Sequence, residues 1–81
     1  MNNLPDSSMP EKVEWQLLME EWHRKKLAMI EAENELDAQV LSYLDNNGAR
    51  PSQTLVDQVE DCRHQEYEAR GLMNNFISEL P

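Results

Sequence analysis

The sequence predicts an all-α protein built as an antiparallel hairpin of two long helices, and three observations indicate this. Neither glycine nor proline occurs between Pro10 and Gly48. Apolar side chains on both sides of a short Asp-Asn-Asn-Gly segment recur mostly at spacings of three and four residues, which is the pattern of a helix face. No segment alternates polar and apolar residues with period two, so the sequence predicts no strand.

The first predicted helix covers about residues 10–45 and follows a flexible tail at residues 1–9. Ser8 can cap its start, Pro10 is tolerated in a first turn, and Glu11 can complete a capping box. The rest of the segment is rich in strong helix formers. We expect Asn47 or Gly48 to adopt the left-handed conformation that often ends a helix.

The second predicted helix covers about residues 52–79 and follows a turn at 46–51. Pro51 and Ser52 open it, with Thr54 and Asp57 as an alternative capping box. Because the connection is short, the helices should be antiparallel neighbours. Counting outward from the middle of the turn predicts these pairs: Leu44 with Leu55, Val40 with Val59, Glu33 with Glu66, and Trp22 with Phe76 or Ile77.

The apolar stripes of the two helices form the predicted core seam. Its members are Leu18, Trp22, Met29, Leu36, Val40, Leu55, Val59, Cys62, Met73 and Phe76. The first helix has further apolar positions that widen its apolar face to roughly half the circumference, namely Met19, Ile30, Leu41 and Leu44. One neighbouring helix cannot cover so wide a face. The sequence therefore predicts a homodimer of hairpins that forms a four-helix bundle, with packing on a different protein as the alternative.

Composition and charge limit the class of protein. The 81 residues include 16 acidic and 7 basic side chains, for a net charge of −9, and 40% are hydrophobic. This chain is too apolar for a disordered tail and has no run apolar enough for a membrane span. Its first residues lack the basic and apolar stretches of a signal peptide, and the single Cys62 cannot form an internal disulfide. We therefore expect a cytoplasmic protein without membrane contact.

The predicted pairing of Glu33 with Glu66 puts carboxylates near the centre of the seam. We interpret Glu33, Glu66 and Arg70 as a charged layer that selects the register, with Arg70 and Arg63 pairing to Glu66. The alternative is a carboxylate metal site of the kind found in di-metal bundles. Glu66 lacks the histidine three residues later that such sites use, so we predict neither a metal nor another cofactor.

Two clusters are candidates for binding a partner. Arg24, Lys25 and Lys26 form the one basic cluster and could contact a polyanion, although Glu20 and Glu21 stand four residues before Arg24 and Lys25, a spacing typical of ion pairs on a solvated helix face. Val13, Trp15 and Leu17 would form a docking surface if the first helix extends beyond the second, because tryptophan is enriched in binding hot spots. Trp15 as a core residue is the equal alternative.

No motif in the sequence predicts catalysis. There is no glycine-rich phosphate loop, no paired cysteines for zinc and no nucleophile elbow. The leading hypothesis is a non-enzymatic interaction module, an acidic adaptor, regulator or chaperone-like subunit that binds itself and a protein partner. A dimeric hairpin that binds RNA through Arg24, Lys25 and Lys26 is a less favoured alternative, and a metal-binding bundle is a third.

Overall fold

The protein is an all-α helical hairpin in a computed structural model that describes residues 9–46 and 48–81. Helix α1 spans Met9–Leu44 and helix α2 spans Gln53–Ser78. They run antiparallel and pack along their length, and the described residues contain no strand, which confirms the predicted fold class. The predicted cap Ser8 and residues 1–8 of the predicted tail lie outside the described residues. None of the described helix segments is both long and apolar enough to cross a membrane.

Helix α2 begins with a side-chain cap. Ser52 has an extended backbone, and its hydroxyl accepts a hydrogen bond from the Leu55 N–H at 3.1 Å. This satisfies one of the amide donors that have no partner inside the helix. Asp57, part of the alternative capping box, instead accepts a hydrogen bond from the Gln53 side chain at 2.9 Å. The cap therefore comes from Ser52, next to Pro51.

A residue in the left-handed conformation follows the end of helix α1, but it is neither of the two residues that the sequence predicts. Asn46 has φ 64°, a conformation that asparagine tolerates better than most residues. Gly48 does not have a positive φ, and Asn47 lies outside the described residues. A Cβ added to Gly48 would lie 2.8 Å from Ser42 Oγ. A larger residue here would require the Ser42 hydroxyl to rotate away.

This early reversal gives the helices a register that differs from the predicted one. The chain turns back at Asn46, at the start of the connection, and Arg50 then lies beside Tyr43, with its guanidinium 3.4 Å from the phenol oxygen. The predicted pairs assumed a reversal in the middle of the connection. Trp22 consequently meets Glu66 and not Phe76 or Ile77, and Glu33 meets Arg63 and not Glu66, so both partners lie nearer the start of α2 than predicted.

The core that results is thin. Four hydrophobic residues are buried, Ala32, Leu55, Val59 and Ala69, and Val59, at 1% exposure, is the one large side chain that is fully buried among the described residues. The other eight residues of the predicted seam are half-buried: Leu18, Trp22, Met29, Leu36, Val40, Cys62, Met73 and Phe76. Leu44, predicted to pair with Leu55, is 66% exposed.

Candidate functional site

A buried glutamate links the two helices near the middle of α2. Glu66 is 8% exposed, and its Oε2 accepts a hydrogen bond from the Trp22 indole N–H at 2.9 Å. Arg70, one turn further along α2, donates to both carboxylate oxygens at 3.1 Å. Because a buried charge is costly unless it is hydrogen-bonded and paired, these contacts explain how a carboxylate can lie in the seam.

The same contacts set the acidity of Glu66. The hydrogen bond from Trp22 is the largest influence and holds the pKa of this carboxyl below its ordinary value of 4.5. Burial acts in the opposite direction, but the hydrogen bond and positive charge of Arg70, with a weaker contribution from Lys26, outweigh it. Glu66 is therefore held in its charged form, and the charge stabilises the folded hairpin.

This stabilisation should depend on pH. Because folding lowers the pKa of Glu66, the contribution is present above the ordinary value of 4.5 and is lost as the pH falls through the lower folded value. We expect Glu66→Gln to reduce the free energy of unfolding by about 1–2 kcal/mol at neutral pH. The difference from the unmodified protein should shrink as the pH falls below 4.5, as measured by urea unfolding followed by circular dichroism.

The control for this prediction is Glu60→Gln, a change at an exposed glutamate on the same helix. Its effect on unfolding should be small at every pH, because surface substitutions usually change stability by less than about 0.5 kcal/mol. A Glu66→Gln difference that stayed constant across the pH range would contradict a role for the charge.

The predicted pairing of Glu33 with Glu66 is wrong. In the observed register Glu33 contacts Arg63, whose Nε lies 2.7 Å from the carboxylate. Arg63 is thus not a partner of Glu66, whereas the predicted pair of Glu66 with Arg70 is present. Over the described part of the chain, no three His, Cys, Asp or Glu side chains converge on a point that could hold a metal ion.

The basic cluster is engaged with groups of its own chain. Arg24 pairs with Glu21 and not with Glu20 as predicted, and Lys25 lies between Glu21, at 3.8 Å, and the Gln65 side chain. The Lys26 ammonium sits 4.8 Å from the centre of the Trp22 ring, close enough for a cation–π contact. A polyanion would have to compete with these contacts, beside the acidic Glu20 and Glu21.

The predicted docking residues separate into two environments. Trp15 is half-buried and packs on Phe76, with ring centroids 5.6 Å apart. Helix α1 does not extend beyond α2 here, because Glu11 shares a cavity with Glu79 at the end of α2. Trp15 thus belongs to the core, while Leu17 and Val13 are exposed, at 60% and 49%.

One side of the hairpin carries an extended apolar surface on α1. Met19, Ile30 and Leu41 are spaced by eleven residues, which is close to three helical turns, so they share a face. Leu44 adds one further turn. Met19 is half-buried, whereas the other three remain exposed, so the second helix of the hairpin leaves this face uncovered.

The same side of the hairpin continues onto α2. Val56, Arg63, Arg70 and Ile77 follow one another at heptad spacing along one edge of α2. The ion pair of Arg63 with Glu33 joins this edge to α1. We call the surface formed by Met19, Ile30, Leu41, Leu44, Val56 and Ile77 the neutral face. Its name reflects the two ion pairs along its edge on α2, Arg63 with Glu33 and Arg70 with Glu66, each of which is neutral as a pair.

Apolar spacing in the sequence predicts the part of this surface that lies on α1, but it does not predict the ion pairs along its edge. The sequence predicts that Arg63 pairs with Glu66, whereas Arg63 pairs with Glu33 and so joins the two helix edges. The heptad spacing of Val56, Arg63, Arg70 and Ile77 was a signal present in the sequence. This spacing indicates a surface shared by both helices only once the register places Arg63 next to Glu33.

Comparisons of the chain with protein-family models, with curated proteins and with solved structures returned no match.

Proposed function

We propose that the chain is a non-enzymatic interaction module that self-associates through the neutral face. The observation that supports this proposal is that far more large hydrophobic side chains are exposed than are buried. Eleven large hydrophobic side chains are exposed among the described residues, against four buried hydrophobic residues, two of which are alanines. A small chain with so thin a core commonly gains stability from a second chain.

Self-association through the neutral face would cover part of this surface at low electrostatic cost. The chain as a whole carries a net charge of −9, so two copies repel each other in most orientations. The two ion pairs along the neutral face, Arg63 with Glu33 and Arg70 with Glu66, carry no net charge, and its apolar positions on α1 extend from Met19 to Leu44. Each large side chain buried there would contribute about 1.5–3 kcal/mol. A two-fold axis would bring the same surface of both copies together.

The RNA-binding alternative has weaker support. Its three basic residues already contact Glu21, Gln65 and the Trp22 ring, and the surrounding surface is acidic. Phosphate binding depends on uncompensated positive charge, so the interaction module is the better explanation of the geometry.

A measurement of mass in solution tests the proposal. Light scattering after size exclusion should give twice the 9.5 kDa mass of one chain at high micromolar concentration, and the thermal midpoint should rise with chain concentration. A chain that kept the monomer mass at every concentration and still unfolded cooperatively, with a midpoint independent of concentration, would contradict self-association.

A further inference from the structure

The side of the hairpin where α1 and α2 meet near Glu21 and Leu72 has a different chemistry from the neutral face. Two cavities lie there between α1 and α2 and share Leu72. A third cavity, on α1 alone, shares Glu14 and Leu18 with the first and Glu21 with the second. We call the concave surface that these three cavities outline the acidic groove. It extends along α1 from Glu11 to Lys25, about 21 Å at the rise of an α-helix.

The floor of the acidic groove is apolar. It is formed by Leu17, Leu18, Leu72, Phe76 and Leu80. Leu18 and Phe76 are half-buried in the seam, whereas Leu17, Leu72 and Leu80 are about half exposed or more. Exposed leucines that line a concave surface are typical of a binding groove, because their burial by a ligand is favourable.

The rim of the acidic groove carries most of its charge. Six carboxylates line it, Glu11, Glu14, Glu20, Glu21, Glu68 and Glu79. The two basic side chains that line it, Arg24 and Lys25, both pair with Glu21. The groove therefore presents leucines between unbalanced negative charges, and these charges disfavour a second copy of this acidic chain as well as nucleic acid.

We propose that the acidic groove binds a basic amphipathic helix of a partner protein. Leucine-sized side chains of that helix, spaced by three or four residues, would cover Leu17, Leu72 and Leu80, and lysine or arginine side chains on its flanks would face the glutamates. The length of the groove suits a helix of about 14 residues. This inference rests on the proposal that the chain is an interaction module, but not on its self-association.

Binding of a synthetic peptide tests the inference. The probe is a labelled peptide of about 14 residues with leucines along one helix face and lysines elsewhere, and the readout is fluorescence anisotropy. We expect saturable binding that weakens as salt is raised. A peptide of the same composition, with its leucines scattered around the helix, should bind at least about tenfold more weakly, because it keeps the charge but loses the apolar contacts.

Matched variants of the full chain locate the site. Leu72→Ala should weaken binding at least about tenfold, whereas Leu27→Ala should leave it within about twofold. These two leucines are equally exposed, at 55% and 57%, but Leu27 does not line the groove. The double change Glu14→Gln with Glu79→Gln should weaken binding and reduce its salt dependence more than a change of equal charge outside the groove, Glu31→Gln with Glu60→Gln.

Three outcomes would overturn the inference: no binding of the amphipathic peptide, equal binding of the scattered peptide, or equal losses for Leu72→Ala and Leu27→Ala. The test is separate from that of self-association, since the mass of the chain is measured without peptide. A monomeric chain that bound the peptide through Leu72 would contradict the dimer and support the groove.

Discussion

Replacing Val59 with aspartate is expected to abolish the cooperative folding of the hairpin. Val59 is 1% exposed, and the change removes about 1.5–3 kcal/mol of apolar burial while placing an unpaired carboxylate in the seam, which costs several kcal/mol more. A thin core cannot offset such a loss when ordinary domains are stable by only about 5–15 kcal/mol. Far-UV circular dichroism during thermal unfolding, at equal chain concentration, measures the effect.

Two further variants make this prediction specific. Val13→Asp introduces the same charge at a position that is 49% exposed and should change stability by less than about 0.5 kcal/mol. Val59→Ala introduces no charge and should cost about 1–3 kcal/mol. If Val59→Asp unfolded at the midpoint of the unmodified protein, the structure would have the wrong residue at its centre.

A large loss of dimer affinity is expected when charges are placed on the neutral face. The double variant Ile30→Glu with Leu41→Glu places two charges on this face at positions that the hairpin itself leaves exposed. We expect the dissociation constant of the dimer to rise at least about a hundredfold, because two apolar contacts are lost and two charges would be desolvated. Sedimentation equilibrium over a range of concentrations measures this constant.

The matched control for this variant is Val13→Glu with Leu17→Glu. It adds the same charge to the same helix at exposed positions outside the neutral face, so the dimer should persist with a similar affinity. Leu17 lies in the acidic groove, so dissociation of this control would indicate that the groove side forms the dimer. That result, or an Ile30 and Leu41 double variant that dimerised normally, would disprove the assignment of the face.

The two surfaces suggest how one small hairpin could bind two kinds of chain. The neutral face combines apolar side chains with balanced charges, which suits a second acidic copy. The acidic groove combines apolar side chains with unbalanced carboxylates, which suits a basic helix. Electrostatic complementarity of this kind contributes to specificity and association rate more than to affinity, so we expect both interactions to derive most of their strength from buried leucine and isoleucine.

Some features of the site were predictable from local sequence, and others were not. The ion pair of Glu66 with Arg70 joins residues four apart on one helix, so the sequence alone predicts it. The contact of Glu66 with Trp22 joins residues 44 positions apart and depends on the register. The position of Glu66 beside the apolar stripe of the second helix did not determine whether its side chain is buried. The glutamates and leucines of the acidic groove come from both helices, so they meet only in the folded chain.

The sequence by itself determined the two helices and the hairpin. Helix-forming composition, apolar spacing, the Ser52 cap and the break after Leu44 all act over a few residues, so a local pattern contains the whole signal. Only the tertiary structure decided the register. Stripes that repeat about every seven residues still place apolar residues opposite apolar residues after a slip of two or three turns, so their pattern does not select one alignment. The left-handed Asn46 sets where the chain turns back, and that offset brings Trp22 to Glu66, Glu33 to Arg63 and Trp15 to Phe76.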